Sequence, residues 1–116
     1  MSDMFSVSSE RPADDLGVVT LSGEVDIFTA PQFKESLLEL LDSGVKRLVV
    51  DLSEVTFIDS TALGVLIGGV RRVHGVGGSM TIVVTTRPVE RVLSVTGLDR
   101  VFSLHATRDE ALAALA

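Results

Sequence analysis

Leu48-Val49-Val50-Asp51-Leu52 does more than any other stretch to limit the folds open to this chain. It is short, nearly all apolar and rich in β-branched residues, without the polar alternation of a half-exposed strand. Such a run reads as a central strand covered on both faces. Strands of that kind sit in sheets flanked by helices, and a helical pattern stands on either side of this one. Upstream, Thr29 can cap a helix that has Pro31 in its first turn and Gln32 at the third position of a capping box. Phe33, Leu37, Leu40 and Leu41 mark one side of it, Lys34, Glu35, Glu39 and Asp42 mark the other, and Gly44 stops it. Downstream, Ser60 to His74 predicts a second helix, ended by Gly75, Gly77 and Gly78.

The remaining elements keep the same alternation. Phe5 to Ser9 predicts a short edge strand, and Ser8 to Asp15, with Pro12, a polar hairpin connection. Gly17 to Gly23 predicts the second strand, followed by a loop of Glu24, Val25, Asp26, Ile27 and Phe28. Met80 to Val84 is the next strand. Thr86 can cap a third helix with Val89, Val92 and Leu93 inward and Gly97 as its stop. Val101 to Leu104 forms a last strand, and a capping box of Thr107 and Glu110 opens a C-terminal helix through Ala111, Leu112 and Leu115. Helical crossovers imply parallel pairing, while the opening hairpin adds an antiparallel edge. The expected architecture is α/β, a mixed, mostly parallel sheet of four to five strands flanked by about four helices. It forms a single domain over residues 1–116, with a short flexible N-terminus at about residues 1–4.

Composition excludes several functions. Sixteen acids against ten bases leave a net charge of −6, and both duplex DNA and anionic lipid are held by clustered Lys and Arg. Five Phe with no Trp or Tyr give no stacking platform for single-stranded nucleic acid. There is no cysteine, hence no disulfide framework or Cys-type zinc site. His74 and His105 lack metal-ligand spacing and read as an exposed helix end and a strand end. Neither a signal peptide nor a membrane span is legible, so the expected location is the cytoplasm. No metal and no cofactor is expected.

The segment Ser53-Glu54-Val55-Thr56-Phe57-Ile58-Asp59-Ser60-Thr61-Ala62-Leu63-Gly64 links the central strand to the second helix. In an open α/β sheet the carboxyl ends of strands form the binding edge. Ser60 is placed there as the N-cap of the helix. At about 100° per residue, Ala62, Leu63, Leu66, Val70 and Val73 share one side, with Ile67 at its margin. The other side carries Ser60, Thr61, Gly64, Val65, Gly68 and Arg72. Each glycine there is about 1 kcal/mol worse than alanine. Either this side is kept bare for another protein, or Gly64 and Gly68 pack against their own chain; the first reading is favoured.

Phe57-Ile58-Asp59-Ser60-Thr61-Ala62-Leu63-Gly64-Val65-Leu66 resembles the phosphorylation-site signature of the anti-sigma factor antagonists, small bacterial proteins of the STAS domain class. Leu21-Ser22-Gly23-Glu24-Val25-Asp26 with Thr29-Ala30, Val50-Asp51-Leu52-Ser53, and Val95-Thr96-Gly97-Leu98 extend the similarity in the same order. Ala62 departs from the glycine common in that family.

The resemblance implies a STAS fold and a partner-switching regulator without catalysis of its own. The unmodified protein would bind an anti-sigma factor, a serine kinase using ATP and Mg²⁺, and so free a sigma factor. Phosphorylation of Ser60 would end that binding, and a metal-dependent serine phosphatase would restore it. It places Asp26 in a partner-contacting loop and Asp59 and Thr61 beside the modified serine. Gly64, Val65 and Gly68 are the expected remainder of the docking face. A hydrolase is disfavoured because GxSxG is missing, and Gly75-Val76-Gly77-Gly78 follows a helix rather than a strand, unlike a phosphate-cradling loop. The alternative is the same fold serving as a subunit or scaffold of a lipid-transport or stress-sensing complex.

Overall fold

The computed structural model describes residues 4–115. Residues 1–3, which hold most of the expected flexible N-terminus, lie outside them. Chain order is β1 (Ser6–Ala13), β2 (Leu16–Val25), α1 (Ala30–Asp42), β3 (Arg47–Ile58), α2 (Ser60–Gly75), β4 (Ser79–Val83), α3 (Arg87–Val95), a 3₁₀ turn (Leu98–Arg100), β5 (Ser103–His105) and α4 (Arg108–Ala113). The five strands lie side by side in sequence order. β1 pairs antiparallel with β2, and the other three pairings are parallel. Because strands are added in one direction, crossovers of one hand put their helices on one face. Phe33, Leu37, Ala62, Leu66, Val89 and Leu93 accordingly share one core with Val19, Val50 and Ile82. Next-door residues on the same strands, Val18, Val49 and Val83, point the other way. They form a smaller cluster with Ala111 and Leu115 under α4.

Three expectations about strands are corrected. β1 does not end at Ser9 but runs through Pro12, with a register shift between Glu10 and Ala13. An edge strand tolerates Pro because its outward side needs no donor. β2 continues past Gly23 to Val25, and β3 continues past Leu52 to Ile58. Between Thr20 and Glu24 the β2–β3 register shifts twice, Thr20 pairing Asp51 but Glu24 pairing Phe57. Extra residues of this kind bend a strand and re-aim the residues beyond the bend.

Two caps are also corrected. Thr29 and Thr86 occupy the N-cap positions of α1 and α3, yet neither hydroxyl caps its helix. Thr29 Oγ1 donates to the Glu24 carbonyl at 3.0 Å, and Thr86 Oγ1 donates to the Val55 carbonyl at 2.9 Å. Both hydroxyls fasten a helix start to a strand end instead. Thr107 does cap α4, accepting from the Glu110 N–H at 3.1 Å. Gly44, at φ +103°, takes the left-handed turn that ends α1.

Candidate functional site

β2 and β3 end together, and the chain leaving each is tied to the other. The Asp59 N–H donates to the Val25 carbonyl at 3.2 Å, so the loop after β2 lies against the start of α2. Ser60 is not the cap. Asp59 holds extended backbone before the helix, and its Oδ1 accepts from the N–H of Thr61 at 2.9 Å and of Ala62 at 3.2 Å. A carboxylate there satisfies two orphan donors and meets the positive end of the helix. Ser60 is the first helical residue, exposed, its hydroxyl taking no part in the cap. Thr61 comes next, also exposed.

Beyond Thr61 the expected division of α2 holds. Ala62, Leu63, Leu66, Val70 and Val73 are buried, Gly64 and Gly68 are exposed, and Val65 is half-buried. A methyl group added at Gly64 or Gly68 meets nothing within 4 Å. Internal packing therefore does not require either glycine. Gly69 is the packing glycine, since a Cβ there would stand 2.7 Å from Leu37 Cδ2. The bare face opens onto a groove of about 650 Å³ between α1 and α2. Pro31 and Leu38 line one wall, and Thr61, Gly64, Val65 and Gly68 the other.

Asp26 opens the neighbouring loop, half-buried, with one carboxylate oxygen held by the backbone of the loop itself. Its Oδ1 accepts from the N–H of Phe28 at 2.9 Å and of Thr29 at 3.1 Å. Its own N–H donates to Thr29 Oγ1 at 2.9 Å. The loop is thereby fixed with Ile27 62% and Phe28 84% exposed. Sequence reasoning assigned no role to these two residues. The signal that could have found them is an apolar pair between a strand end and a Pro-initiated helix, outside either amphipathic pattern. His74 is exposed near the end of α2 and His105 closes β5, as their spacing suggested.

The model of the STAS domain family matches residues 9–111, which includes every residue of this edge. The chain belongs to that family. Within it, this STAS domain is 37% identical to a Thermotoga neapolitana homolog of TM1081 over 85% of its length and 88% of the relative. It is 33% identical to the anti-sigma-B factor antagonist of Bacillus subtilis over 76% of its length and 80% of the relative. The crystal structure of an anti-sigma factor antagonist from Mycobacterium paratuberculosis superposes with a TM-score of 0.85 at 32% identity, covering 98% of this chain and 94% of that one. This STAS domain is therefore a member of the anti-sigma factor antagonist group. Asp59, Ser60 and Thr61 of its signature sit together at the carboxyl edge of the sheet, with Gly64, Val65 and Gly68 running away from them along α2.

Proposed function

We propose that this STAS domain works by partner switching, with Ser60 as the gate. Unphosphorylated, it binds an anti-sigma factor that is an ATP-dependent serine kinase, and a sigma factor is released. Phosphorylation at Ser60 ends the binding, and a metal-dependent serine phosphatase resets it. The chain itself is the regulator and substrate, not a catalyst. The observation that carries this reading is an exposed hydroxyl at the head of a helix whose solvent face is bare and open.

Electrostatics at that position suits a surface gate better than a conformational one. A phosphate adds about −1.5 to −2 charges. The dipole of α2 favours negative charge at its first turn, so the helix persists. The Thr61 and Ala62 amides are already bonded to Asp59 and offer the phosphate little further stabilisation. The new charge stands next to the Asp59 carboxylate on a surface that binding must dehydrate. Like charges placed at an interface cost several kcal/mol, and about 1.4 kcal/mol is a factor of ten in affinity. No rearrangement of the sheet is needed.

The test is transfer of labelled γ-phosphate from ATP by anti-sigma factor kinases of the same organism, with mass mapping of the product. Label on Ser60, absent from Ser60→Ala, is expected. A kinase that binds the protein tightly yet leaves Ser60 unlabelled contradicts the proposal.

A further inference from the structure

The aspartate of the loop after β2 is the residue that family resemblance nominates for partner contact, but the geometry points elsewhere. We propose that Ile27 and Phe28 are the contact side chains of this loop, an apolar anchor beside Ser60, and that Asp26 is a positioning residue. The proposal rests on the partner-switching reading and identifies what holds the partner while Ser60 is unmodified.

Three observations converge. Asp26 Oδ1 accepts two backbone N–H groups and lies 3.3 Å from Thr29 Oγ1. The Ala30 N–H donates to the Asp26 carbonyl at 2.7 Å, and Thr29 Oγ1 donates to the Glu24 carbonyl at 3.0 Å. A network this dense fixes a short loop in one conformation, so little entropy is lost when a partner meets it. What the loop holds out is a Phe 84% exposed and an Ile 62% exposed, neither contributing to the core. Aromatic residues, Phe among them, are enriched at protein interfaces relative to the rest of the surface. The anchor and the gate are also joined, because the Asp59 N–H bonds to the Val25 carbonyl one residue before the loop. The occupant that fits is the same anti-sigma kinase, docked over Ser60 with an apolar socket for Phe28. Affinity and switching then belong to different residues, Phe28 holding the complex and a phosphate on Ser60 opposing it.

Asn can make the same loop bonds as Asp26 but carries no charge, which separates bracing from charge contact. The experiment has two arms. In cells, a photoreactive p-benzoylphenylalanine at position 28 and, separately, at position 68 tests contact with an ATP-binding anti-sigma kinase. In vitro, that kinase is titrated with Asp26→Asn, Asp26→Ala, Phe28→Ser and Phe28→Leu. Position 28 is expected to capture the kinase, with capture lost on adding Ser60→Asp. Phe28→Ser and Asp26→Ala should weaken binding by roughly thirtyfold, with unchanged melting for Phe28→Ser. Phe28→Leu and Asp26→Asn should stay within about threefold of wild type. Capture at position 68 but not 28, or Asp26→Asn as damaging as Asp26→Ala, overturns the anchor while leaving partner switching intact. Capture of the kinase at neither position, or capture insensitive to Ser60→Asp, overturns the partner-switching reading itself.

Discussion

At the scale of single residues, adjacent positions have separate duties. Asp59 stabilises the helix and Ser60 faces solvent, so the two substitutions differ in what they cost. Asp59→Ala should lose about 1 kcal/mol of stability, whereas Ser60→Ala should change it by less than about 0.5 kcal/mol. Urea denaturation of both variants checks this. Sequence alone does not separate them, because Asp and Ser are both good caps and stand next to each other. What decides is how far β3 runs. The strand continues to Ile58, leaving Asp59 in extended backbone and Ser60 already helical. Asp26 is a like case: the family resemblance sets it in a partner-contacting loop, and its Oδ1 accepts from the N–H groups of that same loop.

Helix α2 shows how sequence pattern and packing can be told apart at the level of an element. Three glycines lie near its middle, two open to solvent and one pressed against α1. Gly64→Ala and Gly68→Ala should each raise stability by about 0.5–1 kcal/mol. Gly69→Val should lower it by about 1–3 kcal/mol, since the new side chain would press on Leu37 inside the packed core. Thermal melts of the three variants test the assignment, and Gly64→Arg should melt normally while failing to dock. The amphipathic period of α2 already named Gly64 and Gly68 as a bare face, and alternation of strand and helix patterns already gave the sheet. Strand ends were less legible. Pro12 and the polar residues around it look like a turn until β1 is seen to be an edge, and the β2–β3 register shifts leave no period-two signature. Exposure of Ile27 and Phe28 was hidden for a related reason, as hydrophobicity ordinarily signals burial.

Across the whole molecule, the face of the sheet opposite α1, α2 and α3 is covered by the short helix α4, which Arg108 ties to the strands beneath. Arg108 at the start of α4 donates to Asp51 Oδ2 at 3.1 Å, to Thr20 Oγ1 at 2.8 Å and to Glu10 Oε2 at 3.0 Å. The Asp51 side chain is only 8% exposed, and its other oxygen, Oδ1, accepts from the Ser53 N–H at 2.9 Å. Arg108→Leu should cost about 1–3 kcal/mol, moderated by water reaching the guanidinium, and adding Asp51→Asn should recover part of it. A second ion pair, at the β1–β2 turn, is solvent-exposed and adds a small acid-sensitive contribution. The Arg47 guanidinium bonded to Asp15 holds that carboxyl below its usual value. A lowered folded-state value means stability is present above the free-aspartate value of about 3.9 and is lost as pH falls through the folded one. Urea midpoints should therefore drop below about pH 4, less steeply in Asp15→Asn. Neither pair lies at the edge where Ser60 sits, so the switch should operate on an unchanged scaffold. The decisive measurement is calorimetric titration of the anti-sigma kinase with unmodified and with Ser60-phosphorylated protein, each checked by circular dichroism. Phosphorylation should lower affinity by about a hundredfold or more with spectrum and melting unchanged; equal affinities, or a loss that comes with lost helix, would contradict a gate that acts by surface charge alone.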